Sequence, residues 1–124
     1  GDFMPSILRY YTPARRILCE IAKSRSTIQY GELATALGLK SARQEWHTLL
    51  DPIARKESER TGRDLTLVVV YATGPAKGLG RYFSNVRGGI PPGTTTLDPA
   101  DLTQVANFYA ELENVFDAYA DVEC

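Results

Sequence analysis

Fourteen basic side chains, seven tyrosines, two cysteines and one histidine are the groups in this 124-residue chain with which catalysis or recognition can be built. Nucleophilic catalysis by sulfur needs a thiolate activated by a neighbouring base. Cys19 and Cys124 stand far apart in sequence and neither lies beside His47. Their separation leaves a disulfide open but favours free thiols in a reducing compartment. With one histidine and no Cys-x-x-Cys spacing, metal ligands would have to be scattered, so no metal and no cofactor are expected. Glu45, Glu57, Glu59 and Asp64, with Lys56 and His47, would serve a metal-dependent nuclease only if two or more carboxylates converged in one cleft. An acid every few residues along a helix is otherwise ordinary surface. The glycines of residues 74–80 and 88–89 lack the Gly-x-x-x-x-Gly-Lys-Ser/Thr spacing and the following helix of a phosphate loop, and read as turns. Tyr71 and Tyr82 are candidate base-stacking contacts, while core packing accounts for most other tyrosines.

The elements that would position these groups follow from local signals. Thr12-Pro13 reads as a cap and first helical residue, with Ala14, Ile17, Leu18 and Ile21 at helical spacing up to about Ser24. Cys19 falls opposite that apolar face and is expected at solvent or at an interface. Residues 26–30 are short and β-prone, and Gly31-Glu32 opens a second helix that Gly38 ends. Ser41 to Gln44 fits a capping box for a third helix, with Ala42, Trp46, Leu49, Leu50 and Ile53 as its apolar stripe and a break expected at Asp51-Pro52. Residues 65–72 and 79–84 read as the strands of a β-hairpin, and residues 85–97 as a loop. Asp98-Pro99 starts a long helix whose stripe is Leu102, Val105, Tyr109, Leu112, Phe116 and Tyr119.

The composition, 44% hydrophobic, 10% aromatic and 23% charged, excludes disordered, collagenous and disulfide-stapled classes and fits one domain over residues 1–124. The longest apolar stretch is about half of what a bilayer needs and no leader opens the chain, so a cytoplasmic protein with no membrane partner is expected. The net charge of −1 conceals an asymmetry, because residues 1–87 carry 14 basic and 8 acidic side chains while residues 88–124 carry none and 7. Either a basic working surface bears an acidic appendage, or the two parts attract each other internally. An acidic segment folded across the basic face would compete with phosphate until displaced.

Helix, short strand, helix, helix and β-hairpin is the order of a winged helix-turn-helix, so the expected fold is α+β: a winged-helix core over residues 12–84 plus a C-terminal acidic amphipathic helix over 98–120. Its third helix would present Gln44, His47, Thr48 and Asp51, with Arg43 at the margin, to base edges. Lys40, Lys77, Arg81 and Arg87 would meet phosphates.

Residues Thr27-Ile28-Gln29-Tyr30-Gly31-Glu32-Leu33-Ala34, then Gly38, Ser41-Ala42-Arg43 and Leu50-Asp51-Pro52, resemble the DNA-binding winged-helix domain of O6-alkylguanine-DNA alkyltransferases and alkyltransferase-like proteins. The resemblance covers about residues 12 to 84. It implies that Tyr30 acts on the phosphate beside a flipped nucleotide, that Arg43 inserts into the base stack, and that DNA is entered through the minor groove. The family's reactive Pro-Cys-His-Arg is absent, since Asp64-Leu65-Thr66-Leu67-Val68-Val69 stands there, so no alkyl transfer is expected. The function expected is non-enzymatic DNA binding, as a regulator, a phage or defence accessory, or a damage-recognition factor. The alternative is a protein–protein interaction module or dimerising adaptor, a homodimer or protein partner meeting residues 98–120.

Overall fold

The computed structural model describes residues 6–39, 46–80 and 97–124. Within them the chain is α+β and mostly helical, with four α-helices and a two-stranded sheet. No helix among the described residues is long and apolar enough to cross a membrane.

A 3-10 turn, Ser6–Tyr10, leads into α1, Tyr11–Lys23. The helix starts slightly ahead of the expected Thr12 cap, and Pro13 still sits in the first turn, where a missing N–H costs no helical bond. Ala14, Leu18, Cys19 and Ala22 are buried, whereas Ile17 and Ile21 are only half-buried. Cys19 is therefore not a surface thiol. It is fully buried and bonded to Cys124, a disulfide spanning 105 residues. The chain beyond the last helix returns across this flank of α1, with the Lys23 ammonium donating to the Val122 carbonyl at 2.6 Å. The expectation of two free thiols is thereby corrected, and the compartment inferred from it loses that support.

After α1, Arg25 adopts a left-handed backbone (φ 55°) that turns the chain into β1, Ile28–Gln29. α2, Tyr30–Ala36, follows at once. Gln29 and Glu32 form a capping box, the Gln29 amide donating to Glu32 Oε1 at 2.8 Å. Gly38, at φ +77°, ends α2 as expected, with Leu39 N–H bonding back to Ala34 O and Gly38 N–H to Thr35 O.

α3, Trp46–Thr61, contains Pro52 and does not break there, contrary to the sequence expectation. Proline removes the donor for the Thr48 carbonyl and disfavours helix by roughly 3 kcal/mol. Leu49 and Leu50 before it and Ile53 and Ala54 after it are all fully buried. Each large apolar side chain contributes about 1.5–3 kcal/mol on burial, so packing on both sides outweighs the defect. The expected cap at Ser41 lies outside the described residues.

Residues 65–72 do not form one strand. Leu65–Val68 is a 3-10 turn and only Val69–Val70, β2, is extended. Asp64 Oδ1 accepts both the amide (2.8 Å) and the hydroxyl (2.6 Å) of Thr66, which fixes the turn. A 3-10 turn fans successive side chains to different sides, and Leu65, Leu67 and Val68 sit at the centre between α1, α3 and the last helix, where each direction is apolar. β2 pairs in parallel with β1, Ile28 beside Val69 and Gln29 beside Val70. The expected partner strand, residues 79–84, lies outside the described residues beyond Gly80; up to there Val70 bridges Gly80 antiparallel, in the sense the hairpin expectation required, and Tyr71 forms an isolated bridge with Lys77. Gly80 lies so close to β2 that a Cβ there would overlap the Val69 carbonyl oxygen.

The last helix, α4, Leu102–Tyr119, is capped by Asp101, whose Oδ1 accepts from Thr103 N and Gln104 N, three residues later than the expected Asp98 cap. Its buried face is Phe108, Leu112, Val115, Phe116 and Tyr119. Leu102 and Tyr109, expected on that stripe, are 79% and 49% exposed; the buried face runs through Phe108, Leu112, Val115 and Tyr119, so Tyr109 falls to its side although it adjoins fully buried Phe108. Glu111 pairs with Arg63 at 2.9 Å, Asp117 pairs with Arg25 at 2.9 Å, and Glu113 also pairs with Arg25. Part of the acidic segment is thus matched internally by basic residues at the ends of α1 and α3.

Candidate functional site

The parallel pairing of β1 with β2 brings the start of α2 beside the end of β2. The Tyr30 ring lies 5.3 Å from that of Tyr71, tilted by 30°, and 5.7 Å from that of Trp46, tilted by 58°. Three elements remote in sequence therefore share one aromatic cluster. Trp46 is its buried member, and its indole N–H has no acceptor among the described residues. Tyr30 is half-buried and Tyr71 is exposed. Tyr71 is held by its backbone, its N–H donating to Leu79 O and its carbonyl accepting from Gly78 N, both at 2.9 Å. Those bonds close the turn that carries Lys77, which is exposed beside the Tyr71 backbone. His47 is exposed in the first described turn of α3, next to Trp46.

Of the residues expected to meet DNA, Tyr30 and Lys77 are thus linked through Tyr71, and His47 adjoins the cluster through Trp46. Thr48 and Asp51 are half-buried on α3. Lys40, Arg43, Gln44, Arg81 and Arg87, together with Tyr82, lie outside the described residues. An exposed aromatic face with a lysine near it can stack a base and attract its phosphate. Both cysteines of the chain are consumed in the disulfide, so neither is a thiolate.

A second polar cluster lies at the other end of α3, and sequence reasoning missed it. Glu57 is 5% exposed. Its Oε1 accepts from the Tyr119 hydroxyl at 2.6 Å, from Arg60 Nη2 at 2.9 Å and from Arg15 Nη2 at 3.4 Å. One carboxylate thereby ties α1, α3 and α4 together. Burial first, and the hydrogen bond to Glu57 second, push the Tyr119 phenol well above its ordinary pKa. Burial, with the Glu57 charge, also raises Tyr11. The signal was present in the helical phase: Leu50, Ile53, Ala54 and Glu57 follow each other at spacings of three, one and three on a single face. The charge of Glu57 points to the surface and its phase to the core, and the phase prevails.

Of the carboxylates named for a nuclease, Glu57 and Glu59 line one cleft with Lys56, but they do not form a ligand pair open to a metal. Glu57 is neutralised by two arginines, Asp64 caps the 3-10 turn, Glu59 is exposed, and Glu45 lies outside the described residues. Among the described residues no three His, Cys, Asp or Glu side chains gather as metal ligands would. The fold therefore defines a small, mostly helical α+β protein with an exposed aromatic patch and a buried ionic cluster. Comparison with protein-family models, curated proteins and solved structures yields no significant match.

Proposed function

We propose that this chain is a non-enzymatic DNA-binding protein of winged helix-turn-helix type, similar in its core to the alkyltransferase-like proteins and without their transfer chemistry. The observation that carries the reading is the Tyr30–Tyr71 contact. It sets an exposed ring beside the tyrosine that, by the family resemblance, acts on the phosphate next to a flipped nucleotide. The element order supports it: α1, β1, α2 and α3 are followed by an extended segment and a tight turn carrying Lys77. Tyr71 would stack on a base, Arg43 enter the base stack, Gln44 and His47 meet base edges, and Lys77, Lys40, Arg81 and Arg87 meet phosphates. Regulator, phage or defence accessory, and damage-recognition factor remain the roles compatible with that activity.

The test is fluorescence anisotropy of the oxidised protein with a mixed-sequence duplex at two salt concentrations. Binding is expected to weaken with salt, and Tyr71→Ala and Arg43→Ala each to weaken it by about tenfold, the scale of one stacked base or one charge-assisted contact. Folded protein that binds no duplex at low salt would overturn the reading. The competing reading, a protein-docking or dimerising module, draws on the exposure of Leu102 and Tyr109 on α4. A monomeric protein that binds duplex would remove its support.

A further inference from the structure

A cleft of about 480 Å³ opens between the first turns of α1 and the last turns of α3, lined by Tyr11, Arg15, Lys56, Glu57, Glu59 and Arg60. Lys56 lies ten residues beyond Trp46 on α3, about 15 Å at the helical rise, so this cleft is distinct from the aromatic patch. It is a broad, open depression rather than an enclosed pocket, so a ligand there would be held by its charge and not by apolar burial.

Glu57 forms the back wall. A buried carboxylate needs compensation, and one guanidinium with the Tyr119 hydroxyl meets most of that need. A second guanidinium, from Arg15, converges on the same oxygen, and Lys56 adds a third cation with its ammonium 5.9 Å from the centre of the Tyr11 ring. Three cations against the carboxylates of Glu57 and Glu59 leave the cleft with a surplus positive charge. Each guanidinium has five N–H donors, and each gives Glu57 Oε1 one hydrogen bond. The arginines are therefore fixed from behind and keep donors for a ligand in front. No carboxylate pairs with Lys56 among the described residues.

We propose that this cleft binds a small phosphorylated ligand, its phosphate held by Arg15, Arg60 and Lys56 and by the Tyr11 hydroxyl, with Glu57 as the positioning residue that aims the two guanidiniums. Three cations on separate side chains suit a group with three outward oxygens better than the single edge of a carboxylate. The Tyr11 phenol is protonated at neutral pH, as an ordinary tyrosine is, and can donate to a phosphate oxygen. Glu59 at the wall opposes a continuous strand of phosphodiesters, which favours a small molecule over nucleic acid.

Inorganic pyrophosphate and adenosine monophosphate, titrated into the full oxidised chain and followed by calorimetry, test the proposal. Saturable binding is expected, weakened about tenfold in Lys56→Ala, a change at an exposed side chain that leaves the Glu57 cluster intact, and unaltered in Arg16→Ala, an exposed arginine outside the cleft. Tighter binding of the nucleotide points to a phosphate ester as the natural ligand, and tighter binding of pyrophosphate to an inorganic phosphate; either supports the site. Glu59→Gln is expected to tighten binding several-fold. Three results would overturn it: no saturation by roughly 10 mM, equal losses in Lys56→Ala and Arg16→Ala, or a Lys56→Ala defect in duplex binding that pyrophosphate cannot reproduce by competition.

Discussion

Replacing Cys124 by serine tests how much of this fold depends on closing the chain upon itself. Cys124 is the better member of the disulfide to change, because Cys19 is fully buried and a serine hydroxyl there would add its own desolvation cost. The bridge closes a loop of 105 residues, nearly the whole chain. In the chain-entropy treatment a loop of that size restricts the unfolded ensemble by about 4.7 kcal/mol, and native strain or residual unfolded structure reduces the figure. A loss of about 3–5 kcal/mol is therefore expected, a large part of the ~5–15 kcal/mol by which such domains are stable. The variant is still expected to fold. α4 is anchored by Phe108, Val115 and Tyr119, all fully buried, and not by the disulfide alone. Urea unfolding of four samples decides the matter: wild type and Cys124→Ser, each with and without dithiothreitol. Reductant should bring the wild type down to the variant and leave the variant unmoved. Coincident midpoints for oxidised wild type and Cys124→Ser, or two titratable thiols in the untreated wild type, would refute the reasoning.

Two further outcomes follow from the packing. Because the Tyr119 pKa is raised on folding, the native state holds that proton more tightly than the unfolded chain; the stabilisation is complete below about pH 10 and is lost as pH rises above it, by up to ~1.4 kcal/mol per unit for one group. Unfolding measured at about pH 9, 10 and 11 should thus show a steeper alkaline decline in the wild type than in Tyr119→Phe. Identical slopes would mean that Glu57 and burial do not hold the phenol. At Gly80 an alanine Cβ would meet the Val69 carbonyl, with the Phe108 ring 3.5 Å away on the other side, so Gly80→Ala should destabilise by about 1–3 kcal/mol by thermal or urea unfolding. A neutral effect would show that the chain at residue 80 can move away from β2.

The candidate patch was legible in sequence to the extent that its members are marked by type: Tyr30 by its place in the motif, Tyr71 as an aromatic on the expected hairpin, Lys77 by lying at its turn, and His47 by its phase on α3. The contact of Tyr30 with Tyr71 was not legible. It depends on β1 and β2 pairing in parallel across 41 positions, Ile28 with Val69, a long-range contact that no local pattern signals. The Glu57 cluster was hidden for a related reason. Helical phase placed Glu57 inward, but only the arrival of Arg15 and of Tyr119 makes burying a carboxylate there tolerable.

By itself the sequence determined the features whose causes act within one turn of chain. The Gln29–Glu32 box and Gly38 bound α2, and an aspartate caps α4, because capping groups and φ-permissive residues satisfy backbone groups three to five positions away. Tertiary structure decided the rest. It kept α3 helical through Pro52, bent an apolar run into a 3-10 turn, turned Leu102 and Tyr109 outward on α4, and brought Cys19 to Cys124. In each case the deciding free energy is burial against residues far away in the chain, which exceeds local propensity and leaves no short-range signature.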